Sequence, residues 1–366
     1  MAAETEATAL ETKGERVKVL ITGGSGFIAR YFHELFSPRG VEISILDLVS
    51  PEWDIGRAGF HQGDVRDPAA VRKAMQGCDA VLNLAAAHHD FGIEHDTYYD
   101  VNERGSKVVC DAMDELNIRK ACFYSTVAVY GSAPEPHHED APTNPTSPYG
   151  GSKLAGEKVF AAWASKGEGR TCLVIRPTVT FGPRNFANMY SLIRQIYSGK
   201  YFQVGPGTNI KSLSYVENIV AATAYLWERP GAKPFEVFNY IDKPDLTSKQ
   251  IGETIYAGLD RRPPGFAVPM WLAMLGGLPF DIVIALTGKN LPISTARIKK
   301  LFSTQTKFEA DKVAAAGFKA AIPLAEGIKR MTQWYAREGK DQRPVWHTPP
   351  AKVGGALVAT DKAGGA

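Results

Sequence analysis

Short apolar runs rich in Val, Ile and Leu recur along the first half of the chain, with helical spacing between them. Residues 17–22 (VKVLIT) read as a buried strand, because branched apolar side chains follow one another almost without interruption. Further strands are expected over 41–46, closing on Asp47, in a short run entering Gly63, Asp64 and Val65, and over 80–84, 120–125 and 171–176. Helical patterns occupy 68–75 and 106–116. Strands without polar alternation that take turns with helices predict an α/β fold, a doubly wound parallel sheet covered on both faces.

After Arg176 the pattern loosens. Pro, Gly and Asn become frequent and the elements shorten, as expected of a smaller C-terminal substrate-binding lobe at the carboxyl ends of the strands. The expected organisation is a disordered, acidic N-terminus over 1–15, a sheet domain over 16–180, and a lobe over 181–335 with segments returning to the sheet. A flexible tail rich in Pro, Gly and Ala follows over 342–366. Residues 270–286 are strongly apolar, but Gly276, Gly277, Pro279 and Asp281 interrupt them, which argues against a transmembrane span. They read as a buried helix pair, the alternative being a surface that touches lipid or a greasy substrate.

Composition narrows the partners. The chain has 366 residues, 44% hydrophobic and 22% charged, enough for a large core. A net charge of +3 with no basic block argues against nucleic acid. Cys78, Cys110, Cys122 and Cys172 are scattered without metal-ligand or disulfide spacing, so they read as thiols in the reducing cytoplasm, and no metal is expected. The N-terminus lacks the apolar core of a signal peptide.

The candidate chemistry begins at the first strand–helix junction. Thr22-Gly23-Gly24-Ser25-Gly26-Phe27-Ile28-Ala29 places glycines where a tight turn must let backbone approach a pyrophosphate, whose charge then rests on a helix N-terminus. Asp47 ends the second strand, where a carboxylate can take both hydroxyls of an adenosine ribose and would repel a 2′-phosphate. Leu48, Val49 and Ser50 supply no cation to reverse that preference, so NAD is expected rather than NADP. Asp64 and Val65 fit an adenine contact, unless Asp64 caps the helix near Pro68. Leu84, Ala85 and Ala86 end the fourth strand with small residues that suit close passage of the cofactor. The paired His88 and His89 read as polar filler.

A second constellation lies downstream. In Tyr149-Gly-Gly-Ser-Lys153 an i,i+4 spacing puts phenol and ammonium on one helical face. A phenol with a pKa near ~10 is too basic to hold as an anion at neutral pH. An ammonium ~5 Å away at an effective dielectric of ~20 favours the phenolate by roughly 3 kcal/mol, about two pK units. Tyr149 can then take a proton from an alcohol and return it. Thr126, at the end of the fifth strand, is placed to orient the reacting oxygen.

With these residues in place the chain resembles the extended short-chain dehydrogenase/reductases, in particular the NAD-dependent epimerase/dehydratase family. The resemblance spans about 17–335 and rests on TGGSGFIA, Asp47, GDV, NLAA, Val101-Asn102, STVAVYG, SPYGGSK and RPTVTFGP. It implies a Rossmann fold, NAD, and a lobe for a nucleotide-diphosphate sugar. Tyr149 would be the acid/base, Lys153 would hold the nicotinamide ribose and lower the tyrosine's pKa, and Thr126 would bind the reacting hydroxyl. Asn102 and Pro177 would lie near the cofactor. A homodimer through the helices at 106–116 and after Tyr149 is also implied.

Branches of the family separate at the turn after Thr126. Related dehydratases carry an acid there to protonate a leaving hydroxyl, whereas this chain has Val127, Ala128 and Val129. What remains is reversible oxidation without elimination. The stretch over 182–218 and the segment at 291–300 resemble a polysaccharide-biosynthesis subgroup, which favours a nucleotide-sugar 4-epimerase working through a transient 4-keto sugar. Arg184, Asn188 and Lys211 are the candidate substrate residues, with Arg194 and Arg297 as further cations, because guanidinium and ammonium groups suit a diphosphate. The alternative is a 3β-hydroxysteroid or sterol-like alcohol dehydrogenase, which Arg176-Pro, Phe181-Gly-Pro and Tyr215-Val-Glu-Asn also resemble.

Overall fold

A computed structural model describes residues 17–89, 92–133, 135–287, 294–295, 306–342 and 345–361. The segment 1–15 and nearly all of 291–300, including Arg297, lie outside the described residues. The strands are β1 (Lys18–Thr22), β2 (Glu42–Asp47), β3 (Gly59–Gln62), β4 (Ala80–Asn83), β5 (Lys120–Tyr124), β6 (Thr171–Pro177), β7 (Val179–Phe181), β8 (Ile210–Lys211), β9 (Leu213–Tyr215), β10 (Phe235–Tyr240), β11 (Leu246–Thr247), β12 (Val345–Thr348) and β13 (Val358–Asp361). Seven of them form one parallel sheet in the order β10-β6-β5-β4-β1-β2-β3. The apolar strands predicted a sheet covered on both faces, and β1 shows why: Val19, Leu20 and Ile21 are all essentially sealed from solvent.

Two apolar clusters cover the two faces. One packs Phe32 and Phe36 of α1 (Phe27–Phe36) against Ile43, Ile45, Tyr124 and Ile219. The other packs Val71 and Met75 of α2 (Pro68–Met75) with Phe123, Phe160 and Trp163. The third strand ends at Gln62, directly before the Gly63-Asp64-Val65 run it was expected to enter, and the Gly63 N–H donates the last bond across to Asp47 O (2.9 Å). A helical run that the sequence pattern understated covers α3 (His95–Tyr99), a π-helical turn (Asp100–Arg104) and α4 (Gly105–Glu115).

The rest of the chain adds α5 (Pro148–Ala164), α6 (Asn188–Tyr197), α7 (Val216–Glu228), α8 (Ser248–Gly258) and α9 (Met270–Thr287). A third cluster joins α6 and α8 to the helix Leu324–Arg337. Two expectations change here. The apolar stretch at 270–286 is one helix with Pro279 inside it, not a buried pair, and much of its surface faces solvent. Much of the expected flexible tail is ordered: β12 and β13 pair antiparallel, and Pro350 O accepts from the buried Arg66 Nη2 (2.8 Å). A buried guanidinium needs acceptors, and that carbonyl fixes the segment.

Candidate active site

Strand β1 lies between β2 and β4, so the crossovers diverge at its carboxyl end and open a crevice there. Gly23 sits in this crevice with φ +65°, and a Cβ on it would come within 2.7 Å of Ala85 N. Only glycine allows the β1–α1 turn so close to the end of β4, where Leu84, Ala85 and Ala86 follow. Gly26 is the N-cap of α1; it provides no side-chain cap, and the first turn from Phe27 and Ile28 carries no acid. Those first-turn N–H groups are suited to an anionic ligand.

Asp47 stands at the end of β2, its Oδ2 accepting from Ser25 N (2.9 Å) and its Oδ1 from Leu48 N (2.7 Å). Burial raises its pKa against those hydrogen bonds, so desolvation of the carboxylate outweighs them. Ser25 Oγ donates to Val49 O (2.6 Å), tying the turn to the residues after Asp47. The glycine cradle, the uncapped helix start and the carboxylate fit a dinucleotide.

Asp64 does not cap α2; Asp67 does, accepting from Ala69 N. Asp64 instead clamps the fully buried Arg66, with Nε to Oδ1 at 3.0 Å and Nη2 to Oδ2 at 2.7 Å. Asp100 takes Nη1 at 2.8 Å. Val65 is buried beside this clamp, where a Cβ on Gly105 would meet it at 2.8 Å. Asn102, on the π-helical turn, uses its whole amide: Oδ1 accepts from Ala87 N (2.9 Å), and Nδ2 donates to Ala87 O (3.0 Å) and Ser152 Oγ (2.9 Å). It therefore ties the loop after β4 to α5.

The α5 helix starts at Pro148, with Ser147 Oγ accepting from Gly150 N (3.1 Å) as its cap. Tyr149 lies in the first turn, half-buried against the same cluster as Ala85. The positive end of the helix dipole there favours a phenolate. One turn further, Lys153 is 1% exposed, with Nζ 4.3 Å above the Phe123 ring. Burial drives its pKa down to about 7, against the Glu157 carboxylate, which pulls it up. Thr126 follows β5 and caps the short helical turn Val127–Val129, its Oγ1 accepting from Ala128 N (3.1 Å). A Cβ on Gly150 would come within 2.5 Å of Ala128 O, so that glycine lets the Thr126 turn and the start of α5 touch.

Sequence reasoning missed the buried charge beneath this site. Glu157 binds Arg176 through two hydrogen bonds, Nε to Oε1 at 2.9 Å and Nη2 to Oε2 at 2.7 Å. Ser125 Oγ also donates to Glu157, and Arg176 Nη1 donates to Tyr130 Oη (2.9 Å), which donates in turn to Asn239 Oδ1 (2.8 Å). The chain of contacts links α5, β6, the Thr126 turn and β10. The one available signal was Glu157 four residues after Lys153, on the same helical face.

The expected substrate residues sit on separate elements. Arg184 has a left-handed backbone (φ +69°) and lies 3.7 Å from Glu34 of α1. Asn188 begins α6 and is exposed, and Lys211 lies in the β8–β11 ladder. Pro177 closes β6 opposite Tyr240.

Comparison with known proteins bears on this geometry. The model of the NAD dependent epimerase/dehydratase family matches residues 19–240. An N-acetyl-alpha-D-glucosaminyl-diphospho-ditrans,octacis-undecaprenol 4-epimerase from Escherichia coli O157:H7 is 39% identical over 322 residues, 86% of this chain and 94% of that one. A 3beta-hydroxysteroid-dehydrogenase/decarboxylase from Arabidopsis thaliana is 25% identical, over 89% of this chain and 81% of that one. Among solved structures, UDP-glucuronic acid 4-epimerase from Bacillus cereus in complex with NAD aligns with a TM-score of 0.69 and 20% identity, covering 89% of this chain and 99% of that one. With the crevice, the Tyr149–Lys153 helix and the Thr126 turn in register, the chain belongs to the NAD-dependent epimerase/dehydratase family and is an NAD-dependent enzyme.

Proposed function

We propose that the protein is a 4-epimerase of a sugar carried on a diphosphate, with a nucleotide-diphosphate sugar as the substrate class. The observation that carries this reading is the pairing of Tyr149 and Lys153 on α5 with a Thr126 turn that continues as Val127, Ala128 and Val129, without a carboxylate. Thr126 Oγ1 already accepts from Ala128 N, so its O–H is left to donate to the substrate oxygen. Tyr149 takes the C4 hydroxyl proton and returns it after the keto sugar has turned over, so no acid is required for a leaving group. Bound NAD supplies the reversible hydride acceptor that this proton transfer accompanies. Lys153 binds the nicotinamide ribose and keeps Tyr149 acidic. Asp47 takes the adenosine ribose, Asp64 and Val65 border the adenine, and Arg184, Asn188 and Lys211 contact the diphosphate sugar.

The Escherichia coli relative, whose name places its sugar on a diphospho-undecaprenol, favours a second carrier. A polyprenyl diphosphate presents the same charge to Arg184 and Lys211 as a nucleotide does. The outer face of α5, with Leu154, Ala155, Val159 and Ala162 bordering a groove of about 580 Å³, supports a homodimer. Four buried free thiols are in keeping with the cytoplasm.

Turnover assays discriminate the readings. The protein is incubated with UDP-sugars, with polyprenyl-diphosphate sugars and with hydroxysteroids, following sugar interconversion and absorbance at 340 nm. Interconversion without free NADH is expected; stoichiometric NADH from a sterol would instead establish a dehydrogenase.

A further inference from the structure

Helix α9 presents an apolar stripe to solvent. Trp271, Leu275, Leu278, Ile282 and Leu286 recur at i, i+4, i+7, i+11 and i+15, one face of a helix, and are 68%, 56%, 49%, 60% and 81% exposed. Phe266, just upstream, is 64% exposed. The opposite side, with Met274, Gly277, Phe280 and Ile284, is buried or half-buried. The single charge in the helix, Asp281, is turned away from the stripe and satisfied, accepting from Thr295 N (3.1 Å) and Thr295 Oγ1 (2.5 Å). The helix is fastened to the lobe at its start, where Val268 N donates to Gln203 O (2.8 Å) and Gly205 N donates to Val268 O (2.9 Å).

A continuous apolar face of this size on a folded protein is an interaction surface. The charges around it choose the partner. Arg261 and Arg262 are exposed on the approach to α9. In the sequence, the run after the helix carries Lys289, Arg297, Lys299, Lys300 and Lys307, with no acid before Glu309. No helix among the described residues is long and apolar enough to cross a membrane. An apolar face without a charge of its own, with Arg261 and Arg262 on its approach and further cations following it in the sequence, suits the headgroup–acyl boundary of an anionic bilayer.

We propose that α9 docks this protein onto the surface of an anionic lipid bilayer, with Trp271, Leu275, Leu278, Ile282 and Leu286 inserted and Arg261 and Arg262 against the headgroups. The docking stands apart from the reaction assigned above, because it places the lobe at a membrane whichever carrier bears the sugar. With a polyprenyl carrier it would also set the catalytic lobe beside the leaflet that holds the substrate.

The test is flotation of the full-length protein with vesicles of phosphatidylcholine containing phosphatidylglycerol, alongside pure phosphatidylcholine vesicles, with Trp emission read in parallel. Wild type is expected to float with the anionic vesicles, with blue-shifted emission and release at about 0.5 M salt. Leu275→Glu with Ile282→Glu should cut vesicle-bound protein by at least about tenfold, since each substitution forfeits the burial of a large aliphatic side chain. Leu275→Phe with Ile282→Leu should float as wild type does, and NAD titration of each variant reports that it is folded. Absence of wild-type flotation, or equal flotation of the glutamate variant, overturns the proposal. A wild-type dimer that the glutamates dissociate, with no flotation, assigns the face to a second copy and overturns it equally. Turnover of a water-soluble UDP-sugar by the glutamate variant separates failure of docking from failure of the epimerase reading.

Discussion

The two halves of this enzyme use charge in opposite ways. On the sheet side, two buried guanidiniums are closed on carboxylates: Arg66 with Asp64 and Asp100, and Arg176 with Glu157. Further along the chain, Arg184 is part-exposed beside Glu34, and Asn188 is exposed at a helix start. A buried, mutually satisfied ion pair is costly to disturb because removing one partner strands the other away from water. A surface cation can be lost at the cost of one contact. The buried pairs therefore suit fixed geometry, and under the proposed function the exposed groups suit adjustable recognition.

That contrast can be tested by substitutions of decreasing expected effect. Tyr149→Phe should lower kcat by about 10²–10⁴-fold while NAD still binds, measured by turnover and by cofactor titration; near-normal turnover would remove Tyr149 from the mechanism. Glu157→Gln leaves Arg176 buried without a countercharge and should cost about 3–5 kcal/mol in urea unfolding. A loss below about 1 kcal/mol would mean that water reaches the pair, and the comparison would lose its buried side.

A smaller effect concerns pH. Lys153 has a folded pKa near 7, below its ordinary value, so between that pH and the ordinary lysine range the unfolded chain holds a proton that the folded one has shed. Its contribution to stability must rise as pH increases through that window, and its full penalty applies below pH 7. Lys153→Met should flatten this rise and, at pH 6 without cofactor, make the protein more stable than wild type by a few kcal/mol, on the order set by the shift. Unfolding at pH 6 and pH 9 reads both; an unchanged slope in the variant would place the titration elsewhere. The smallest effect belongs to the lobe. Arg184→Ala should raise KM by about 5–10-fold with kcat within about twofold, as expected for a binding contact that does not change along the reaction. A fall in kcat alone would move Arg184 into the chemistry.

What the sequence made legible follows the same division. The settings of Gly23, Asp47, Tyr149 and Lys153 are readable because each lies in a short local pattern: a turn, a strand end, one turn of helix. The seven-stranded parallel sheet was readable for the same reason, since strand and helix periods are local. The Glu157–Arg176 pair joins residues on different elements, and Tyr130 meets Asn239 across 109 positions, so no spacing rule reaches them. Asp64 shows the limit of a local reading: GDV identified the residue, yet its carboxylate closes on Arg66, whose side chain the motif did not include. The apolar run at 270–286 erred in another way. Apolar composition looks the same whether a helix face is buried or bare, and only the packing of α9 tells which side Trp271 and Ile282 take.

The π-helical turn at Asp100–Arg104 has a consequence for how this chain can vary over evolutionary time. Such a turn accommodates one residue more than regular α-helix would, and Asn102 sits within it. Losing a single codon there would restore a smooth helix. It would also swing every side chain on one flank by about 100° relative to the other. Either Asn102 would leave Ala87 and Ser152, or α4 would lose its seat against α2 and α5. The exposed Glu103 and Arg104 are open to drift; the length of the segment is not.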